Sequence, residues 1–139
     1  MSRVDNWRTL LADFIESRRE RPFLWGQHDC CLFAADWIAM ATGKDPAEWA
    51  RGKYDSARAA HRLAAPYGGL GGLVTHCLVQ SKARNVRPPF VTAGDIIIRD
   101  SLHGDCVGIV LGQNAAFVGE FGLCFTATTD DPYAEFWTF

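Results

Sequence analysis

Apolar residues recur at helical spacing through the first two thirds of the chain and gather into short β-rich runs in the last third. Trp7, Leu10, Leu11, Phe14 and Ile15 fall on one helical face behind Asp5, a good N-cap, and Pro22 forbids continuation. The pattern predicts an amphipathic helix over about residues 6–20, with the charged stretch ESRRER as a solvated face. The next stretch, CCLFAADWIAMAT, carries a single charge, Asp36, and ends at Gly43, so a helix there must bury nearly its whole circumference. Asp45, Pro46 and Glu48 supply a cap, a first-turn proline and a capping-box partner for a short helix through Trp49. Asp55 or Ser56 opens another that stops before Pro66. The pairs Gly68-Gly69 and Gly71-Gly72 then punctuate the chain ahead of a helix from Leu73 to Gln80, and an irregular basic segment ends in Pro88-Pro89.

From Gly94 onward the β-rich runs are Asp95 to Ile98, Cys106 to Leu111, Ala115 to Gly119 and Leu123 to Thr128. Turn residues separate them, Gly112 to Asn114 in one place and Phe121-Gly122 in another. Helices before strands indicate an α+β fold, with N-terminal helices packed on a C-terminal antiparallel sheet. At 139 residues, 48% hydrophobic, the chain supports one substantial core and is read as a single domain over 1–139.

Charge narrows the partners. Fourteen Lys and Arg stand against 16 Asp and Glu, a net charge of -2, which supplies no positive field for a nucleic-acid backbone. No run approaches the roughly 20 apolar residues of a membrane span, so none is expected. The opening residues MSRVDNWRTL place charges where a secretory signal needs an apolar stretch, and synthesis in the cytoplasm without export is the expectation. Five cysteines, Cys30, Cys31, Cys77, Cys106 and Cys124, form an odd set without C-x-x-C spacing. They are expected to be free thiols, with no metal and no cofactor. A metal held by Cys30 or Cys31 with Cys77, Cys106 and Cys124 requires a fold that gathers them.

Cys30 is the candidate nucleophile. It follows Asp29 at the start of the buried helix, where unpaired backbone N–H groups and the helix dipole favour a thiolate. Cys31 is turned from it by about 100°, so one of the two faces a given cleft. The competing assignment is a small core residue. His28 is placed on the wrong side of the helix entrance or on the surface, and His61 and His76 among ordinary helix residues. Trp25, Trp37, Trp49 and Trp137 read as core or rim aromatics.

The segment PFLWG (Pro22 to Gly26) followed by DCCLF (Asp29 to Phe33) resembles the signature of the NlpC-type papain-like amidases and endopeptidases of cell-wall peptides. AGDIII (Ala93 to Ile98) resembles that family's Pro-Gly-Asp strand, and CVGIVLG (Cys106 to Gly112) its His-Val-Gly-Ile strand. The resemblance implies a papain-like fold, with Cys30 on the nucleophile, Asp29 on the acidic residue before it and Trp25 flanking the cleft. It also sets Cys106 where the family has its histidine, and Val118 and Gly119 near the third polar position. The spacer from Gly26 to Asp29 is short for the family, and Phe23 stands for the usual tyrosine. His103, in the loop SLHGDC with Asp105 nearby, is the candidate replacement base.

A second set, DPAEWARGKYDS (Asp45 to Ser56), ARAAHRL and YGGL, resembles NlpC-like proteins encoded among bacteriophage tail genes. What this implies is a virion tail-tip component, made in the host cytoplasm. Such a protein assembles beside the tail hub or other tail-tip proteins, with little or no peptidase activity. The alternative is an active amidase or endopeptidase on peptidoglycan peptides, using Cys30 as nucleophile, His103 as base and Asp29 as orienter. A third class is a small immunity or peptide-binding module that uses the cleft without chemistry.

Overall fold

The computed structural model describes residues 2–101, 104–128 and 131–139. Four helices come first: α1 (Trp7–Arg18), α2 (Cys30–Thr42), α3 (Ala57–Ala64) and α4 (Leu70–Gln80), with single 3-10 turns at Glu48–Ala50 and Ala65–Tyr67. The strands come after them: β1 (Arg84–Val86), β2 (Ile96–Ser101), β3 (Gly104–Val110), β4 (Asn114–Gly119), β5 (Gly122–Ala127) and β6 (Glu135–Thr138). They form one antiparallel sheet in the order β1-β6-β2-β3-β4-β5. The expected α+β layout therefore stands. No helix among the described residues is long and apolar enough to cross a membrane.

Helix α2 is central because its sequence leaves it almost no solvent face. Leu32, Phe33, Ala34, Ala35, Trp37, Ile38 and Ala41 are all buried. Gly43 ends it in the left-handed conformation, φ 80°, with its N–H returned to Ala39 O. Phe14 and Ile15 of α1 pack on it from one side, and Ile96, Ile98, Val107 and Ile109 of the sheet from the other. The Trp37 indole N–H reaches Gly94 O at 2.9 Å, fixing the helix to the bend that precedes β2. The sheet's opposite face has its own cluster, Ile97, Val110, Ala115, Phe117 and Phe136, onto which Cys106 packs.

Several local expectations need correction. The N-cap of α1 is Asn6, and it makes no side-chain cap bond, so Asp5 does not cap the helix. Asp45 accepts from Ala47 N at 2.9 Å, yet the chain beyond it forms only the 3-10 turn. Ser56, not Asp55, caps α3 by accepting from Ala59 N. Helix α4 begins at Leu70, so Gly71 and Gly72 lie inside it. Packing explains this: a Cβ on Gly71 would come within 2.3 Å of Asp105 Oδ2, and one on Gly72 within 1.9 Å of Tyr67 O. These glycines permit close approach instead of ending a helix. β1 and β6 are strands in segments where none was expected, paired with each other through Asn85 and Trp137.

The chain ends meet beside α2. Arg3 donates to Phe139 O at 3.1 Å and to Ala93 O at 2.8 Å, and pairs with the fully buried Asp95 carboxylate at 2.6 Å. Its guanidinium lies over the Trp7 and Phe139 rings.

Candidate functional site

A tight loop delivers the chain to the mouth of α2. Leu24 and His28 exchange two backbone bonds, Leu24 N to His28 O at 3.1 Å and His28 N to Leu24 O at 2.8 Å, and Gly26 takes the positive φ of 81° that closes the turn. A Cβ on Gly26 would lie 2.2 Å from Tyr54 O, so only glycine fits under the neighbouring segment. Asp29 then caps α2. Its Oδ1 accepts from Leu32 N at 2.9 Å, while its Oδ2 accepts from Gly26 N at 2.9 Å and from the Tyr54 hydroxyl at 2.6 Å. The carboxylate is buried, and these three donors commit it to holding loop, helix and Tyr54 together. Burial first, and then the Asp29 hydrogen bond and charge, push the Tyr54 hydroxyl well above the ordinary phenol range, so it stays protonated and donating.

Cys30 is the first residue of α2 and is buried. Its sulfur lies 3.9 Å from that of Cys31. Strands β3 and β4 pair at Ile109 and Val110, and Val107, outside that ladder, turns its backbone N–H toward the Cys30 sulfur. The hydrogen bond from Cys31 holds the Cys30 thiol below its ordinary value against burial, with the Val107 N–H acting in the same direction. Cys31 moves the opposite way, well above the usual thiol range, because it is the donor of that bond and its half-buried thiol is poorly solvated. The pair therefore behaves as one thiolate-leaning sulfur and one retained proton.

Cys106 precedes Val107 on β3 and packs on the face of the sheet turned away from α2. The same Val107 N–H favours the Cys106 thiolate, but burial first, and then the Cys30 charge, push its thiol up to about 11. The expectation that residue 106 lines the cleft across from Cys30 is therefore corrected: alternation along β3 turns Val107 toward α2 and Cys106 to the other face. Cys124 acts electrostatically on Cys106, and Cys77 on Cys31. The five free thiols are thus electrostatic neighbours in the order Cys77, Cys31, Cys30, Cys106 and Cys124. Among the described residues, no three His, Cys, Asp or Glu side chains converge into a metal-sized group.

Of the other candidates, Trp25 packs edge-on against Phe23 at 4.8 Å and lies 6.2 Å from the His61 ring, lining an open depression with Gln27, Lys53 and Asp55. His103 lies outside the described residues. Asp105 accepts from Gly71 N at 3.1 Å, at the start of α4. Val118 packs against the main core, and Gly119 O accepts from Phe23 N at 3.1 Å.

His28 departs most from expectation. It is fully buried, edge-on to Phe33 at 5.8 Å. Arg18 Nη1, which can only donate, lies 3.5 Å from its Nδ1, so the ring proton sits on Nε2, which has no hydrogen-bond partner among the described residues. Burial, followed by the charges of Arg21 and Arg18, holds it down to about 4. Arg18 itself joins a chain of ion pairs, Arg18 to Asp36 at 2.9 Å, Asp36 to Arg51 at 2.7 Å and Arg51 to Asp45 at 2.6 Å. An apolar cavity of about 50 Å³ lies between α2, α3 and α4, and Cys31 lines it whereas Cys30 does not. Neither feature was visible in the sequence, because each depends on contacts between distant segments.

No curated protein matches the chain. A family model described as Domain of unknown function (DUF6950) matches residues 2–137. The chain therefore belongs to the DUF6950 domain family.

Proposed function

We propose that this chain is a bacteriophage tail-tip assembly protein built on a papain-like scaffold whose cysteine no longer hydrolyses peptides. One observation carries the loss of chemistry: among the described residues the groups next to the Cys30 sulfur are the Cys31 thiol and the Val107 N–H, while Cys106 packs on the other face of the sheet with its thiol held neutral at a pKa of about 11. None accepts a proton as an imidazole does near neutral pH, and losing a general base costs roughly 10²- to 10⁴-fold in rate. The described histidines are engaged elsewhere, His28 with Phe33 and Arg18, His61 with Trp25 and His76 with Tyr67. Asp29 serves as a three-donor cap, a structural use of the residue before the cysteine. The tail assignment rests on the likeness of Asp45 to Ser56, ARAAHRL and YGGL to phage tail-gene products.

The experiment has two arms. Purified protein is incubated with muropeptides, and it is co-expressed with a tail hub protein from the same phage class. The expected result is no release of cleaved peptide together with co-purification of the hub. Cleavage that disappears in Cys30→Ala would overturn the loss of catalysis, and failure to bind any hub would remove the assembly role.

A second reading keeps the peptidase active, and the downward shift of the Cys30 thiol at a helix N-terminus favours it. In that version His103, three residues before Cys106, supplies the base. Muropeptide cleavage lost in both Cys30→Ala and His103→Ala would select it.

A further inference from the structure

Adjacent cysteines at the start of a helix ordinarily diverge, yet the Cys30 and Cys31 sulfurs approach to 3.9 Å. With metal–sulfur bonds of roughly 2.3 Å, that spacing subtends an angle of about 116° at a shared centre, between tetrahedral and trigonal, so both sulfurs reach one atom without backbone movement. The nearby oxygen and nitrogen ligands are committed: Asp29 to three donors, and His28 to the far side against Phe33 and Arg18. A sulfur-only donor pair selects soft centres over hard ones. The surroundings add a second selection. Cys31 opens onto the apolar cavity lined by Trp49, Leu63, Leu73 and Cys77, where an adduct with net charge is costly and a neutral one is not.

We propose that Cys30 and Cys31 chelate a thiophilic centre that takes two thiolates and leaves no net charge, a soft divalent ion or an organoarsenic(III) group, seated beside the apolar cavity that Cys31 lines. For the arsenical the step balances. The arsenic–oxygen bond of an aryl arsenoxide breaks, two arsenic–sulfur bonds form, both thiol protons leave on that oxygen as one water, and arsenic stays trivalent. This site is independent of the tail assignment and of peptide hydrolysis.

The test uses the full chain, fully reduced, with phenylarsine oxide in one arm and mercuric ion alone in the other, followed by intact mass and peptide mapping. The expected result is one adduct per chain, bridging Cys30 and Cys31 within a single peptide, displaced by a dithiol and resistant to an equal concentration of monothiol. Binding by both probes assigns recognition to the sulfurs, and binding by phenylarsine oxide alone narrows the centre to the arsenical. Cys30→Ser and Cys31→Ser each lose the adduct, while Cys106→Ser and Cys124→Ser keep it. No adduct on the wild-type chain, or one mapped to Cys77, Cys106 or Cys124, overturns the proposal whether or not the serine variants fold.

Discussion

The Tyr54 hydroxyl donates to the buried Asp29 carboxylate at 2.6 Å, joining the segment after the Glu48–Ala50 turn to the mouth of α2. The bond is charge-assisted and shielded from water, so Tyr54→Phe leaves one lone pair of a buried carboxylate without its donor. The expected loss is about 1.5–3 kcal/mol. A lower urea midpoint with an unchanged slope checks it. Asp29→Ala removes three acceptor contacts at once and is expected to cost more than Tyr54→Phe.

His28 makes stability depend on pH. Its folded-state pKa of about 4 lies below the unfolded value of 6.5, so the unfolded chain takes up the proton first as the pH falls. Stability from this group is complete above about pH 6.5, declines through the interval, and stops declining below about pH 4. The full loss amounts to roughly 3 kcal/mol. Urea midpoints between these limits are expected to fall more steeply for the wild type than for His28→Leu, which carries no titrating ring. Parallel profiles would show that the ring does not titrate in this way.

The elements that the sequence predicted are those whose signals are local. Asp29 before an almost uncharged run, with Gly43 after it, marked both ends of α2, and turn residues separated the central strands. β1 and β6 escaped because they are three and four residues long and exist by pairing across some fifty positions, Arg84 with Thr138. Gly71 and Gly72 pointed the wrong way, since glycine signals a break and a close approach alike and only Asp105 and Tyr67 O decide which. At the site, spacing identified Cys30 and its cap. The burial of His28 and the convergence of the Cys30 and Cys31 sulfurs depend on the loop from Leu24 to His28, which has no periodic signal.

Arg3 shows that residues near the chain ends contribute to the fold. Its pair with Asp95 is almost wholly buried, with 9% and 0% of the two side chains exposed. Arg3→Ala leaves that carboxylate charged and short of its cation, a loss of roughly 3–5 kcal/mol in typical cases. Thr92 N still donates to Asp95, so part of the loss is recovered. Thermal unfolding of Arg3→Ala against Arg3→Lys separates charge from fork geometry. Lysine is expected to restore only part of the loss, because it supplies one point charge where arginine donates to Phe139 O, Ala93 O and Asp95 together.

Position 106 offers the sharpest test of how this scaffold relates to a cysteine hydrolase. Cys106 packs on the sheet face turned away from α2, yet the Cys30 charge acts on it, so a cationic imidazole placed there acts on the Cys30 thiol in return. Cys106→His is therefore expected to lower the Cys30 thiol further, and while that thiol remains mostly protonated each drop of one in its pKa raises the thiolate fraction about tenfold. Iodoacetamide alkylation, mapped by mass spectrometry to Cys30 and followed from pH 5 to pH 9, reads this directly. Cys106→Asn controls for bulk and polarity without a base and is expected to leave the Cys30 rate where the wild type has it. Equal acceleration in both variants would mean that loosened packing exposes Cys30, and no acceleration in either would mean that residue 106 does not address Cys30, removing the main support for placing it at the histidine position.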